Sequence, residues 1–246
     1  MSVFFHIGRY SLFVRQIFDK PEKHGIFARL FLRDVESLGL KSIGIVAIIS
    51  VFMGAVITWQ TSLNIFSPLI PRFTVGLVAR DSIILEFSST IVCLILAGRV
   101  GSNIASEIGT MRVTEQIDAL DIMGINSVNY LVLPKVLACV FIFPFLVVMS
   151  MGIGLLGGWL AGLLTGLVPS DDFIYGIQYI FNPFYVVYSL IKSVIFAFII
   201  STVSAYWGYF SSGGALEVGV ASTKAVVVSS IQILLFNLLI TQLLLT

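Results

Sequence analysis

Charged side chains are what this sequence has least of. Only 11% of its 246 residues are Asp, Glu, Lys or Arg, against about 25% in an average protein. With 58% hydrophobic residues and a mean hydropathy of +1.04, a water-soluble domain is excluded. Histidine and cysteine are nearly missing too, at two each. His6 and His24 are isolated and precede the first long apolar run. Cys93 and Cys139 lie inside apolar runs, which suits small buried residues better than a disulfide or a metal site. The chain has no G-x-x-x-x-G-K-S/T phosphate loop, so it is not itself a P-loop ATPase. It has no H-E-x-x-H and no G-x-S-x-G, which leaves an intramembrane hydrolase without its chemistry. Basic runs interleaved with aromatics are missing, and a net charge of +1 gives no nucleic-acid signal. Nothing reads as a cleavable leader: the first 41 residues hold seven Lys/Arg and no long unbroken apolar core.

What is present is apolar sequence in lengths that suit a bilayer, whose core of ~30 Å takes about 20 helical residues. Five spans are expected: 42–59; a second containing 83–98 and bordered by Arg80 and Asp81; one within 136–168; 184–207; and 225–246. Residues 208–224 read as a Gly/Ser-rich loop, and 171–182 as a short amphipathic connection. Residues 1–41 carry two helical stripes, Val3, Ile7, Tyr10, Val14, Ile17 and Phe27, Leu30, Phe31, Val35, Leu38, with Pro21 between them. Such stripes suit helices lying in the membrane surface, or else a soluble partner-binding arm. The division is therefore an interfacial segment, 1–41, and a five-helix membrane domain, 42–246. Lys and Arg set the orientation. With the N-terminus in the cytoplasm, the inside segments hold ten and the outside segments two, as the positive-inside rule requires, which leaves the C-terminus outside.

The densest cluster of acidic and small polar residues lies between spans two and three, in AGRVGSNIASEIGTMRVTEQIDALDIMG, residues 97–124. Arg99, Ser102, Asn103, Ser106 and Glu107 recur on one helical face, with Val100, Gly101, Ile104, Ala105 and Ile108 off it. A second short helix follows at about 113–124, with Thr114 as N-cap, Glu115 in the first turn and Gly124 as the terminating glycine. Val113, Ile117, Leu120 and Met123 share one side, and Glu115, Asp118 and Asp121 the other. Such a helix is either a solvated loop or a docking element for something basic or polar. Elsewhere, Gly154, Gly158, Gly162 and Gly166 form a small-xxx-small ridge for close helix approach. Lys192 interrupts an apolar span, at a cost of ~2.5–3.5 kcal/mol for a central position, and so needs a partner, a lipid phosphate or a route to the interface. Arg99 is close enough to the cytoplasmic boundary to be structural or functional. Arg80 and Asp81 are neighbours on one helix and do not face each other, so each needs another partner. Glu86 lies on the same span as this pair.

The 97–124 stretch resembles the signature of the MlaE (YrbE-type) permeases, membrane subunits of ABC transporters that move phospholipids with MCE-domain proteins. The likeness continues through LIKSVIFAFII from Leu190 and SGGALEVGVASTKAVV from Ser212. One departure concerns the family's R-E-L-G-P, which here reads Arg80, Asp81, Ser82, Ile83, Ile84. The resemblance implies a homodimer in the bacterial inner membrane bound to ATP-binding cassette subunits that use the ATP, so that this chain needs no cofactor. It implies a periplasmic MCE-domain partner and no nucleic acid. The helix within 97–124 becomes the coupling helix, with Glu107, Thr114, Glu115, Asp118 and Asp121 as coupling residues. A lipid pocket open to the periplasm would hold Arg80, Asp81 and Lys192. Two other functions compete: an ion-driven secondary carrier, which calls for discontinuous helices and an inverted repeat, and a non-transporting scaffold, which leaves Arg80, Asp81 and Lys192 without a role.

Overall fold

The structure is a computed structural model that describes residues 3–18, 24–65 and 70–245. Pro21 and Pro68 lie outside the described residues, as do the side chains of Val3, His6, Ile7 and His24. The fold is all-α: among the described residues there is no strand, and five helices are long and apolar enough to cross a membrane. The reason is elementary. Lipid offers the backbone no hydrogen bonds, so an uncharged run of this length satisfies its own N–H and C=O groups by coiling.

Helix α1 is Val3–Ile17 and α2 is His24–Asp34. Helix α2 runs through a π-helical turn, Val35–Gly39, and a 3₁₀ turn, Leu40–Ser42, into α3, Ile43–Asn64. The division expected at residue 41 therefore falls inside a continuous helix; nothing in 34–43 leaves right-handed geometry. Helix α1 packs one side on the bundle and leaves Phe5 and Leu12 exposed, with Phe18 just past its end. Phe13 and Ile17 are buried, and Phe13 packs among Tyr206, Tyr209 and Phe210 at ring separations of 5.5–5.8 Å. The Tyr10 hydroxyl lies 2.7 Å from that of Thr202, and the Asn129 amide donates to the Ile17 carbonyl at 2.7 Å. The Phe13 and Ile17 side of α1 covers the end of the bundle.

The second span is much longer than expected. It joins α4 (Phe73–Ser82), a π-helical stretch Ile83–Ile91, α5 (Val92–Leu96), a π-helical turn Ala97–Gly101 and α6 (Ser102–Val113). A short α7 follows, Gln116–Ile122, and then α8, Ser127–Thr165, which passes through Pro134 and Pro144. Helix α9 is Ser170–Gln178, α10 is Phe184–Tyr209 and α11 is Ala215–Leu245. The Gly/Ser-rich loop thus shrinks to 210–214. Ala215, Leu216 and Glu217 are good helix formers, and the Thr223 hydroxyl bonds back to the Gly219 carbonyl at 3.1 Å without breaking the helix. The chain order puts α1 and α7 at one end of the bundle and α9 at the other.

Helices α3 and α8 meet almost backbone to backbone. A Cβ on Gly54 or on Gly157 would overlap the facing carbonyl, of Gly154 and Val51 respectively; one on Gly158 would strike the Thr58 hydroxyl. Gly154 faces Ile83 and the Ser50 carbonyl. The glycine ridge is therefore Gly154, Gly157 and Gly158, not a strict four-residue repeat. At Gly162 an added Cβ would meet only ordinary contacts, and Gly166 ends α8 with φ of +68° and open space around it. Buried serines add polar contacts between the spans: Ser50 donates to Ser150 at 2.8 Å, and Ser150 to Ser88 at 3.3 Å.

Candidate functional site

Helix α7 projects from the bundle end between spans two and three. Its start differs from the sequence expectation. Thr114 does not cap it; the Thr114 hydroxyl donates back to the Thr110 carbonyl at 2.9 Å and closes α6. The chain then turns through Glu115, which adopts left-handed geometry (φ 60°), so α7 has two turns and not three. Its end is as the sequence suggests. Gly124 has φ of +76°, its N–H donates to the Asp121 carbonyl at 3.0 Å, and the Ile125 N–H reaches the Leu120 carbonyl at 3.1 Å. Those two bonds are a Schellman closure.

Only Ile117 of α7 is buried. Asp118 is held by the Arg112 guanidinium. Glu115 and Asp121 are exposed, beside Ile122, which is 86% exposed, and Met123. Met123 thus belongs to the exposed tip and not to the side of Ile117. The tip combines exposed carboxylates with uncovered apolar surface.

Behind α7, the Lys135 ammonium is buried between two carboxylates, Glu107 at 2.7 Å and Asp34 at 3.3 Å. This knot ties α8 to α6 and α2. It places Glu107 at the junction of α6 and α8, behind α7. The sequence pattern did not reveal Asp34 or Lys135, because their separation along the chain hides the contact.

In the α9 half of the bundle, Lys192 is fully buried. Its ammonium donates to Glu86 Oε1 at 2.9 Å, approaches the Leu85 carbonyl at 3.4 Å and lies 4.4 Å from the Tyr188 ring centre. The second carboxylate oxygen, Oε2, accepts from the Asn237 amide at 3.1 Å and lies 3.0 Å from the Thr90 hydroxyl. The Tyr188 hydroxyl sits 2.8 Å from that of Thr241. Three spans therefore converge on one carboxylate, whose side chain remains 47% exposed. Glu86 stands in the π-helical stretch Ile83–Ile91. Such irregular turns concentrate at functional sites because they displace side chains from α-helical register. Asn237, Thr90 and Thr241 were invisible in sequence: isolated small polar residues in apolar spans carry no motif.

Arg80 and Asp81 are placed elsewhere. Arg80 is 2% exposed, and, contrary to the helical-spacing argument, it does pair with its neighbour: Nη2 and Nε lie 2.8 and 2.9 Å from Asp81 Oδ1. The arginine side chain is long enough to fold back along the helix. Its other end donates to the carbonyls of Ile177 and Tyr179, each at 2.8 Å, and so caps the C-terminal end of α9. The close approach of Gly76 and Gly176 puts the two helices in reach. Arg80 and Lys192 thus anchor two separate networks within one chain, each with its own carboxylate. An apolar cavity of about 310 Å³ in this half, beside Val56, Trp59 and Leu63, contains none of Arg80, Asp81 and Lys192. Arg99 lies at the opposite end, within the π-helical turn Ala97–Gly101.

Comparison with known proteins gives a consistent picture. Residues 31–243 match the family described as Permease MlaE. The chain is 39% identical over 237 residues to a probable ABC transporter permease protein of Rickettsia bellii, covering 96% of this chain and 91% of that protein. It is 33% identical to a probable ABC transporter permease protein of Synechocystis, with 96% and 87% covered. It is also 33% identical to the chloroplastic protein trigalactosyldiacylglycerol 1 of Arabidopsis thaliana, with 89% of this chain and 63% of that protein covered.

Proposed function

This chain belongs to the MlaE permease family, and on that premise we propose that it is the permease subunit of an ABC transporter that moves phospholipid between the inner and outer membranes of a bacterial envelope. It works as a homodimer with a separate ATP-binding cassette subunit, which supplies the hydrolysis for which this chain has no phosphate loop, and with a periplasmic MCE-domain protein. The observation that carries the reading is the α7 tip: exposed Glu115, Asp121, Ile122 and Met123 on a helix whose base is fixed by buried Ile117 and whose end is closed at Gly124. That tip docks in the ATPase and passes its motion to α6 and α8.

The cargo site is the Lys192–Glu86 network. A buried ammonium offers a charge-assisted contact to a phosphate, the half-exposed carboxylate offers one to a headgroup amine, and the apolar spans accept acyl chains. Arg80 and Asp81 shape this half by holding α9. A diacylglycerol lipid in the name of one relative agrees with a lipid cargo. The test is co-purification of the chain with an ATPase subunit, followed by reconstitution and measurement of ATP-dependent transfer of labelled phospholipid. Co-purification with transfer supports the reading; a chain that binds no ATPase, or a complex that hydrolyses ATP without moving lipid, contradicts it.

A further inference from the structure

At the α7 end of the bundle, a cavity of about 310 Å³ opens between the distorted start of span one and the end of span two. Ser37, Lys41 and Ser42 line one wall, Arg99 and Asn103 the other. No carboxylate lines it. Four other cations are ion-paired, Arg80 with Asp81, Arg112 with Asp118, Lys135 with Asp34 and Glu107, Lys192 with Glu86, while Arg9 and Lys224 lie over the Phe210 and Trp207 rings. Among the described residues, Lys41 and Arg99 have no such partner. Glu107 is one turn from Asn103, and it is committed to Lys135. Lys41 is exposed and Arg99 half-buried, so an anion in the cavity would meet both cations.

The walls are built to hold this shape. Ser37 stands in the π-helical turn Val35–Gly39 and Lys41 and Ser42 in the 3₁₀ turn after it; Arg99 stands in the π-helical turn Ala97–Gly101 and Asn103 on α6. Each wall is backed by a glycine pressed on a neighbouring span: a Cβ on Gly39 would overlap Ile142, and one on Gly101 would come within 2.8 Å of the Ser204 hydroxyl. Lys41 also heads an exposed apolar stripe, Ile45, Ile48 and Phe52, at i+4, i+7 and i+11. A cation at the end of an apolar stripe is at headgroup depth.

We infer that this cavity binds a phosphate group, that of an anionic phospholipid in the leaflet at the α7 end, with its acyl chains along Ile45, Ile48 and Phe52. A zwitterionic headgroup fits less well, because its ammonium would meet no carboxylate on the lining. The site is distinct from the Lys192–Glu86 network in the other half of the bundle and does not depend on it.

The test is native mass spectrometry of the full chain, delipidated in detergent and titrated separately with short-chain phosphatidylglycerol, phosphatidylcholine and inorganic phosphate. The adduct mass identifies the occupant. Lys41→Gln and Arg99→Gln should each weaken phosphatidylglycerol retention about tenfold, while Arg99→Lys keeps most of it and Glu86→Gln leaves this component unchanged. Phosphatidylcholine should bind more weakly, and inorganic phosphate should not be retained. Unchanged phosphatidylglycerol retention in Lys41→Gln and Arg99→Gln overturns the inference, as does inorganic phosphate bound as tightly as the lipid, which marks a free-anion site. Loss of dimer in those variants with lipid retention intact also overturns it, since a carboxylate of the second copy is then the occupant. Loss of the component sensitive to Glu86→Gln alone bears on the cargo site and not on this one.

Discussion

Lys192 on α10 and Glu86 on the second span meet at 2.9 Å, with the ammonium fully buried and the carboxylate half exposed. That asymmetry sets the consequences of breaking the pair. Glu86→Gln strands a buried ammonium, a loss of up to ~3 kcal/mol for a broken buried pair, with the partner's exposure reducing it. Lys192→Met leaves a carboxylate that still reaches Asn237, Thr90 and the outside, so its cost is smaller. The double variant should regain most of the thermal stability lost in Glu86→Gln, yet remain inactive in lipid transfer. Recovery of both stability and transfer in the double variant would make the pair purely structural.

At the α7 tip, Glu115→Lys with Asp121→Lys should leave the bundle's thermal stability unchanged and weaken association with the ATPase subunit, measured by co-purification. Asp118→Ala should do less. Its pair with Arg112 is exposed, and such pairs contribute about 0.2–1 kcal/mol. A double charge-reversal variant that binds the ATPase and transports like the parent would remove α7 from the coupling path.

The α3–α8 contact separates glycines that matter from one that does not. Gly54→Leu and Gly158→Leu place a side chain where a neighbouring backbone or hydroxyl already sits, so folded yield should collapse. Gly152→Leu, with open space around its Cβ position, should express normally. At Gly166, where φ is +68°, alanine should cost about 1 kcal/mol by strain alone. Equal yields of Gly158→Leu and Gly152→Leu would contradict the close approach.

Arg80→Ala uncaps α9, leaving the Ile177 and Tyr179 carbonyls and Asp81 without their donor. Hydrogen bonds to a charged group contribute ~1.5–3 kcal/mol each, so limited proteolysis should open the segment around residues 175–183. Asp81→Asn should be milder, since Asp81 is partly exposed. Proteolysis unchanged in Arg80→Ala would show that α9 is held by its aromatic and glycine contacts alone.

The all-α architecture and the five crossings were legible because length and apolar run settle them without tertiary knowledge. The end of α7 was legible at Gly124, where a positive φ demands one residue type. Its start was not: Thr114 has the chemistry of an N-cap, but its hydroxyl finds the Thr110 carbonyl of the preceding helix. The helical stripe of α1 included buried Ile17 but not buried Phe13, because what covers Phe13, Tyr206 and Phe210, lies some two hundred residues away along the chain. The need of Lys192 for a partner was plain from its apolar surroundings, while the identity of Glu86 required the relative rotation of two helices. Arg80 and Lys192, which the family resemblance grouped in one pocket, instead hold separate carboxylates, Asp81 and Glu86.

The most direct measurement is photo-crosslinking from within the three-span network in the assembled complex with its ATPase. A photoreactive residue at Thr90 or Thr241, beside Glu86 and Tyr188, is irradiated with labelled phospholipid in the membrane, with Leu238 on the outer face of α11 as control. The predicted result is lipid capture at positions 90 and 241 that rises or falls with ATP turnover and is lost in the Lys192→Met Glu86→Gln background, while capture at 238 is indifferent to both. Capture at 90 and 241 that matches the Leu238 control in all conditions would mean contact with bulk lipid, and the assignment of a cargo site to Lys192 and Glu86 would fail.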